Sequence, residues 1–580
     1  MVRRRRHSSV AGPQGPLPSG SVPPHASVGR DRHPLALIVA LAAVPVVVVA
    51  VFFLLPVSGM VDRGLRPGGH WDLDAAFAVL GRPSVRSAIW LTVWTSATGT
   101  AISVLLGLPA AYGLHRLSWP GRRLVRALLM IPFVLPTVVV GIAFQELLGE
   151  GGLLAGLGWM HTGWAIILGL VFFNVAVVIR AVGASWESMD GRPAEAAASL
   201  GASPWRVFRT VTWPMLRPSV IGAATVVFLF CATAFGVVLI LGGVRYASVE
   251  TEIYLLTAQF LDLRGAAALS LVQLVVVVLL LVVAGVSRRV ADPTVVRVPA
   301  RPMPLRWIAR RSPGAVALSV LSFAVVTALI ALPMGTMLVQ SLRVDGQWSL
   351  ANYRAFSQPN PILGVSGWDA LLTSLRYAGI ACMMALSLGL TIAVAVTRPA
   401  HSRLERGLRS GIDALVMLPL GVSAVTLGFG FLITLDKPPV DFRDASWLVP
   451  LAQALVALPL VVRTIVPGLL GIDDRQRQAA ATLGAGPWRR FWTVDAAVTW
   501  RPLVAGAGFA FAASMGEFGA TSFLARPSSP TLPVVIFHLL GHPGTLNLGT
   551  ALAGSVVLAL IAAAVMALVD LVRVPWLGAL

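Results

Sequence analysis

The chain has 580 residues, of which 56% are apolar and 12% are charged, and its mean hydropathy is +0.80. Soluble domains carry about 25% charged residues, so this composition excludes an ordinary soluble protein and indicates an integral membrane protein. The formal net charge is +20, but the Arg residues are scattered over short segments between apolar runs and form no single basic face, so we expect no nucleic-acid partner.

Residues 1–33 begin with the run Arg3 to Arg6 and are rich in Pro, Ser and Gly. We expect a disordered basic tail here, because the segment buries too little apolar surface to offset its ordering entropy. A cleaved signal peptide is the alternative. The apolar run Leu35 to Leu55 is longer than a usual signal-peptide core and is not followed directly by a small-residue cleavage site, so the sequence favours a retained first span.

Twelve apolar runs are long enough to cross about 30 Å of hydrocarbon, which takes roughly 20 helical residues. Gly and Pro interrupt the third, ninth and tenth runs, so the ends of these three are the least sharply defined. The sequence therefore predicts an all-α polytopic membrane protein with about twelve spans near residues 34–57, 86–112, 124–149, 164–186, 218–242, 266–286, 314–341, 370–396, 408–434, 446–467, 502–524 and 547–572.

The distribution of Arg residues indicates the orientation. If residues 1–33 are cytoplasmic and successive spans alternate in direction, most of the Arg residues fall in cytoplasmic segments. The positive-inside bias favours this topology over its reverse. We therefore expect a multi-pass protein of the cell (inner) membrane with both termini in the cytoplasm.

An internal repeat relates the two halves of the chain. Glu195 and Gln478 are 283 positions apart, and the same offset relates five identical pairs: Gly201 to Gly484, Pro204 to Pro487, Trp205 to Trp488, and Phe235-Gly236 to Phe518-Gly519. We interpret the repeat as a duplication into a first half, residues 34–287, and a second half, residues 314–580, joined by a cytoplasmic linker at 288–313. Six spans per half require a pseudo-twofold axis along the membrane normal, and a pathway would form at the interface on that axis.

Each half contains one long polar loop, near residues 187–217 and 470–501. In the first loop, Pro193 suits the first turn of a short helix, Gly201 can end it in the left-handed conformation, and Ser203-Pro204 can begin a second helix. In the second loop, Asp473 or Asp474 can cap the first helix and Gly484 can end it. Both loops therefore predict an elbow of two short helices.

The spacing Glu195-Ala196-Ala197, then Gly201, then Val211, Trp213 and Pro214 resembles the EAA loop of ATP-binding-cassette importer permeases. The resemblance covers the whole chain as a fused two-half permease. It implies the type I importer permease fold, two copies of an ATPase subunit at the cytoplasmic face and an extracytoplasmic solute-binding protein. The residues that it assigns to ATPase coupling are Glu195, Ala196, Ala197, Gly201, Pro204, Pro214, Gln478, Ala479, Ala480, Gly484 and Pro487.

The second copy departs from the family pattern. Gln478 stands where the family has Glu, and Ala496-Ala497 stand where an apolar residue and Pro are expected. Gln cannot supply a carboxylate. We therefore expect an ion pair with the ATPase at the first loop and not at the second.

The chain lacks the residues for ATP hydrolysis. A phosphate-binding loop needs Gly-Lys followed by Ser or Thr, whereas the single Lys here is Lys437, in Asp436-Lys437-Pro438. We therefore expect no enzyme activity and no cofactor bound by this chain, with ATP and Mg on the partner ATPase. Cys231 and Cys382 lie inside apolar spans, where packing residues are expected rather than a disulfide or a metal site.

Among fused permeases, the chain is similar to the thiamine and ferric-iron branch. The stretches that carry this similarity are Phe133-Val134-Leu135-Pro136-Thr137, Phe172-Phe173-Asn174, Leu241-Gly242-Gly243, Glu250-Thr251-Glu252-Ile253-Tyr254, Gly516-Glu517-Phe518-Gly519 and Thr531-Leu532-Pro533. The resemblance favours thiamine or a related pyrimidine cation over ferric iron, and another small solute stays open.

Polar side chains inside spans are candidates for the solute pathway, because burying them in hydrocarbon is costly unless they face a cavity or a partner. Glu517 is the foremost candidate, since its counterpart in the first half is the neutral Ala234. The other candidates are Gln145, Glu146, Asn174 and Gln273. A structural hydrogen bond between helices is the alternative for each of them.

Two other classes of membrane protein compete with the importer interpretation. A twelve-span secondary transporter driven by an ion gradient would have its large loop between the halves, whereas the long loops here follow the fourth and tenth spans. A channel or scaffold predicts no paired loops. The sequence therefore favours an ATP-driven importer subunit.

Overall fold

The computed structural model describes residues 34–66, 69–122, 125–126, 129, 132, 135–243, 245–288, 303–305, 312–397, 402–435, 442 and 445–571. Helices dominate these residues, and the predicted all-α fold is confirmed. The strands among them are two-residue pieces: Leu117–Ser118 beside Met303–Pro304 in parallel, and Arg343–Val344 beside Gln347–Trp348 in antiparallel. The predicted tail at 1–33, Lys437 and most of the linker lie outside the described residues.

Ten helices in the described part of the chain are long and apolar enough to cross a membrane. The first runs from Ala40 to Leu65, eight residues beyond the predicted end at 57, and it contains a π turn at Ala50–Leu54. The others are Pro83–His115, Gly163–Ser188, Pro204–Ala232, Leu263–Leu280, Pro313–Ser341, Gly367–Thr397, Leu448–Leu470, Trp488–Met515 and Thr545–Val569.

The predicted third and ninth spans are not single straight helices. The third is represented by Thr137–Leu148, which begins directly after Pro136; Phe133 and Val134, just before it, lie outside the described residues. The ninth consists of Arg403–Pro419 and Ala424–Thr434, which meet at 92°. The described residues thus contain ten candidate spans, or eleven if the bent pair counts as one. Much of the predicted third span before Pro136 lies outside the described residues.

Two spans break near the end that lies away from the polar loops. The fifth ends at Ala232 and resumes as Gly236–Gly242, and the eleventh ends at Met515 and resumes as Thr521–Leu524. Each break thus falls inside a span that the sequence predicts as continuous. The remaining short helices are Leu73–Leu80, Arg192–Ser199, Val249–Ala258, Ala351–Phe356, Asp474–Thr482 and Leu532–Leu540.

The duplication predicted from the sequence is visible in the backbone. The π turn Phe208–Thr212 has its counterpart in Phe491–Asp495, and the following helix Trp213–Ala232 has its counterpart in Ala496–Met515. Both pairs differ by 283 positions at their first and last residues. The two halves therefore repeat one architecture.

The first span of each half packs against the opposite half. Pro34–Val49 lies against Gly367–Thr397, and Leu55–Leu65 lies against Ala424–Thr434. Reciprocally, Pro313–Ser341 lies against Pro83–His115 and Thr137–Leu148. The largest buried apolar cluster accordingly contains residues of both halves. Each half thus completes the core of the other, and their interface is part of the fold.

Candidate functional site

The first elbow consists of residues 192–207. Pro193 lies in the first turn of Arg192–Ser199, and the backbone N–H of Arg192 donates to Oδ1 of Asp190 (3.0 Å). The helix ends at Gly201, whose φ of 85° confirms the predicted left-handed conformation. The N–H of Gly201 donates to the carbonyl of Ala198 (3.0 Å) and that of Ala202 to Ala197 (3.1 Å). This is a Schellman ending, which satisfies carbonyls that the helix leaves free.

The second elbow consists of residues 474–490 and repeats this geometry. Oδ1 of Asp473 accepts from the N–H of Arg475 (2.9 Å), so Asp473 is the cap of Asp474–Thr482. Gly484 has a φ of 80° and a Schellman ending of the same form. Pro487–Arg490 then begins the second short helix, as predicted.

Each elbow presents the same pair of large apolar side chains to the surface. Leu200 and Leu483 are 88% and 86% exposed, and Trp205 and Trp488 are 69% and 73% exposed. The members of each pair are 283 positions apart. Exposed apolar side chains grouped in this way indicate a surface that binds another protein or a membrane. Sequence reasoning singled out the Ala and Gly positions and missed the two Leu residues, although the repeat aligns them.

The residues that the sequence assigns to ATPase coupling lie around these side chains. Ala197 and Ala480 are half-buried, and Pro214 is exposed at the start of the fifth span. Glu195 also lies in the field of Arg116: burial lowers the pKa of this guanidinium, and Tyr112 and Glu195 partly offset that effect. The other exposed members of the set assigned to ATPase coupling are Glu195, Ala196, Gly201, Pro204, Gln478, Ala479 and Gly484.

The elbows connect directly to long helices. Trp205 stacks on Phe208 with ring centroids 5.6 Å apart, and Trp488 stacks on Phe491 at 6.2 Å. Both second residues belong to the π turns that lead without interruption into the fifth and eleventh spans. Because helices are stiff along their axes, a displacement of an elbow is transmitted along these spans.

Four aromatic side chains meet at the interface of the halves, and we call them the aromatic quartet: Phe235, Tyr254, Phe518 and Phe537. Phe235 and Phe518 stack with centroids 5.4 Å apart and an interplanar angle of 12°. Tyr254 and Phe537 are 6.4 Å apart. Each pair is related by the offset of 283. Residues that are equivalent by a twofold axis and also touch each other must lie beside that axis.

Contacts within each half repeat around the quartet. Phe235 lies 5.4 Å from Tyr254 at 57°, and Phe518 lies 5.1 Å from Phe537 at 54°. Phe235 and Phe518 are 6% and 2% exposed. The quartet is therefore a nearly symmetric plug of aromatic rings on the axis. The sequence repeat included the two Phe-Gly pairs but did not extend to Tyr254 and Phe537, which a longer alignment at the same offset would have matched.

The glycines of the two Phe-Gly pairs allow close packing at the plug. A Cβ at Gly236 would lie 2.5 Å from Oγ1 of Thr137, and one at Gly519 would lie 3.0 Å from Cβ of Ala424. Thr137 and Ala424 are the first residues of the short helices in the third and ninth spans. The breaks of four spans therefore meet at the axis. Non-helical backbone at membrane depth is tolerated where protein buries it.

Glu517 lies beside the quartet, directly before Phe518, and is 8% exposed. The N–H of Ala520 donates to its Oε1 (2.7 Å) and that of Thr521 donates to its Oε2 (3.1 Å). The carboxylate therefore caps the helix Thr521–Leu524 with both oxygens. The hydrogen bonds give this group a structural role at the break in the eleventh span.

The other pathway candidates have different surroundings. Nδ2 of Asn174 donates to the carbonyl of Leu170 (2.8 Å) and contacts Sγ of Cys231 (3.4 Å), inside the first half. Gln145 and Glu146 are half-buried on Thr137–Leu148. The structure therefore does not bring these three residues together with Glu517 at the axis.

Gln273 belongs to a network that joins the two halves. Its Nε2 donates to Oε1 of Glu250, and Oγ of Ser423 donates to Oε2 of the same carboxylate. Ser423 also caps Ala424–Thr434 in the second half. Glu250 is fully buried, one helical turn before Tyr254. Glu250 was not among the residues predicted for the pathway, because it lies outside the predicted spans, between the fifth and the sixth.

No group of three or more His, Cys, Asp or Glu side chains that could hold a metal ion occurs within the described ranges. Cys231 and Cys382 are both free thiols.

The chain is similar over most of its length to known permeases. A thiamine transport system permease protein of Brucella abortus (strain 2308) is 26% identical over 491 residues, which cover 83% of this chain and 86% of that protein. Its counterpart in Salmonella typhimurium is 28% identical over 471 residues, 78% of this chain and 84% of that protein. The Escherichia coli (strain K12) counterpart is 27% identical over 472 residues, with the same coverage.

Residues 103–297 and 385–573 each match the family described as binding-protein-dependent transport system inner membrane component. One match falls in each half, so the fused two-half arrangement predicted from the repeat is confirmed. The match does not favour an ion-gradient-driven secondary transporter. The chain belongs to the family of binding-protein-dependent transport system inner membrane components, as a permease of an ATP-binding-cassette importer.

Proposed function

We propose that this permease carries thiamine, or a related pyrimidine cation, across the inner membrane. Relatives that span most of its length are thiamine transport permeases. The observation that carries the proposal is the aromatic quartet on the axis, because aromatic rings interact well with flat cationic rings. Ferric iron, a hard cation that prefers oxygen ligands, is the second candidate, and it gains nothing from stacking on the rings.

Two ATPase subunits bind at the cytoplasmic face in this proposal, one at each elbow. Leu200 and Trp205 in the first elbow, with their counterparts in the second, enter apolar grooves on the ATPases. The two Schellman endings fix the backbone that carries each Leu and Trp pair. The small side chains of Ala197 and Ala480 allow the ATPases to approach closely. ATP and Mg are bound by the ATPases, and this chain itself catalyses no reaction.

The remaining assignments follow the proposed orientation. Both termini are cytoplasmic, with a basic tail at residues 1–33 and a linker at 288–313 between permease halves at 34–287 and 314–580. A solute-binding protein delivers the solute to the outer face. Closure of the ATPases moves the elbows together, and the fifth and eleventh spans transmit this motion to the axis. Glu517 contributes negative charge beside the path, and Gln145, Glu146, Asn174 and Gln273 remain candidates for contact with solute.

Reconstitution tests the proposal. The permease is placed in proteoliposomes with its ATPase, ATP inside the vesicle, and its solute-binding protein outside. We expect uptake of labelled thiamine that stops when the ATPase is left out. Uptake of ferric iron without uptake of thiamine would select the second candidate. Uptake that continues without the ATPase would reject the coupling.

A further inference from the structure

We propose that the aromatic quartet is the outer gate of the pathway, and that it passes a flat aromatic cation between the rings of Phe235 and Phe518. This inference rests on the proposed function for its solute and on the geometry for its location. In the quartet, symmetry-equivalent side chains of the two halves touch. A solute that moves along the axis must therefore separate them.

The position of the quartet makes it an outer gate. The helix from Trp213 to Ala232 has 20 residues and covers roughly 30 Å at 1.5 Å per residue. Phe235 lies three residues beyond its end, and Phe518 lies three residues beyond the end of the matching helix. The quartet is thus about one hydrocarbon thickness away from the elbows. A closed plug there blocks the side opposite the ATPases.

The breaks in the helices allow the plug to move. Phe235 and Phe518 follow the ends of stiff spans, at points where the helical hydrogen bonding is interrupted. Motion of an elbow reaches these residues through a continuous helix, and the break lets the ring turn without unwinding that helix. The stacked pair is held by modest forces, because an aromatic contact adds only about 0.5–1.5 kcal/mol to the burial of its rings.

The chemistry of the quartet fits a flat cation. When Phe235 and Phe518 separate by the thickness of one ring, their faces form a slot that stacks on both sides of a planar solute. The electron-rich ring faces also attract a cation. Two buried acidic side chains lie nearby: Glu517 directly precedes Phe518, and Glu250 lies one helical turn before Tyr254. A bulky aliphatic solute gains neither interaction.

Cross-linking tests the gate. Phe235→Cys and Phe518→Cys are combined in a chain whose two native cysteines are replaced by Ser, and the complete importer is treated with a short bifunctional methanethiosulfonate. We expect rapid cross-linking in the resting complex and at least about tenfold slower cross-linking when vanadate traps the ATPases closed, because the open gate then dominates the population. Equal rates in both states would overturn the gate.

A matched control pair lies inside the first half. Phe144 and Phe172 are buried rings with centroids 5.8 Å apart, and their Cys variants should cross-link at one rate in both states. If this pair responds to vanadate as strongly as the quartet does, the motion is not local and the gate is rejected. Should the first double variant fail to assemble, Tyr254→Cys with Phe537→Cys probes the second symmetric contact in the same way.

A kinetic measurement tests the recognition of the ring. Phe518→Leu keeps an apolar side chain but removes the aromatic face, and we expect the KM for thiamine uptake to rise about three- to tenfold. Phe172→Leu, an off-axis change of the same kind, should leave KM unchanged. An unchanged KM in Phe518→Leu rejects ring recognition. The cross-linking result is independent of the solute, so a wild-type importer that fails to carry thiamine contradicts the proposed function and not the gate.

Discussion

Arg477 and Asp495 form a buried ion pair that ties the second elbow to the span that follows it. Nε of Arg477 donates to Oδ1 of Asp495 (2.8 Å), and the two side chains are 13% and 0% exposed. Burial lowers the pKa of Arg477, but hydrogen bonds to Asp495 and Asp474 outweigh this effect and hold the pKa above its ordinary value. The first elbow has Ala194 and Thr212 at the equivalent positions, so this brace belongs to the second elbow.

Removing one partner of this pair should destabilise the protein. Arg477→Ala leaves a buried carboxylate without its guanidinium, which costs about 3–5 kcal/mol in comparable pairs. We expect a clearly lower melting temperature in detergent. The double change Arg477→Ala with Asp495→Thr copies the first elbow and should recover part of the loss. Arg475→Ala, at an exposed neighbour, is the control, and a similar loss in that variant would contradict the assignment to the buried pair.

The left-handed glycines of the elbows should be sensitive to any side chain. A Cβ at Gly484 meets no atom within 4 Å, so the cost of Gly484→Ala arises from the backbone and amounts to about 1–2 kcal/mol. We expect lower ATPase affinity with normal membrane levels, and the same from Gly201→Ala. A Cβ at Gly486 also meets no atom within 4 Å, and the φ of Gly486 is not positive. The Gly486→Ala variant should therefore bind the ATPase normally. Equal binding by all three variants would argue against the elbow as the docking element.

The exposed leucines of the elbows should contribute directly to ATPase binding. Full burial of a Leu side chain is worth about 1.5–3 kcal/mol, so Leu200→Ala and Leu483→Ala should each weaken the ATPase complex by about tenfold or more in a titration. Leu153 is 72% exposed in the loop after Thr137–Leu148, at the opposite end of that half, and Leu153→Ala should have no effect. Wild-type affinity in both elbow variants would show that the apolar pair does not dock.

The two elbows should differ in their electrostatic contribution. Glu195 is exposed and can pair with a basic residue of the ATPase, whereas Gln478 at the equivalent position has no charge. If the complex partly buries this pair, Glu195→Gln should weaken assembly by about 1–3 kcal/mol, and Gln478→Ala should do so by less. The difference should shrink at high salt, since screening weakens exposed pairs. Equal losses in the two variants, measured by titration of the ATPase, would contradict this asymmetry.

Glu517→Gln separates a structural role from a role in the pathway. Both carboxylate oxygens accept backbone N–H groups, and an amide replaces one acceptor with a donor. We expect a lower melting temperature, because an unsatisfied buried group costs about 1–3 kcal/mol. Reduced thiamine uptake beyond this loss of stability would add a role in the pathway. Glu146→Gln, at a half-buried carboxyl on Thr137–Leu148, is the stability control.

The elbows were predictable because their signals are local. Gly, Pro and Asp determine the backbone conformation within a few residues of their own position. The left-handed conformations of Gly201 and Gly484 can therefore be predicted from the sequence. The third and ninth runs are harder to predict, since composition reports that a segment is apolar and not where its helix breaks, as it does before Thr137 and before Ala424. The surroundings of single side chains are harder to predict. Glu517 accepts hydrogen bonds only because the helix breaks after Met515, and the apolar pattern of the sequence does not show this break.

The sequence by itself determined the membrane class, the duplication, the elbows and the family, because hydropathy, repeat offset and turn chemistry are properties of short stretches of chain. Only the tertiary structure decided what lies at the interface of the halves. Phe235 and Tyr254 are 19 positions apart, and their partners Phe518 and Phe537 lie 283 positions further on. Their contact depends on how the two halves pack about the shared axis, and no local pattern in the sequence shows which residues meet there.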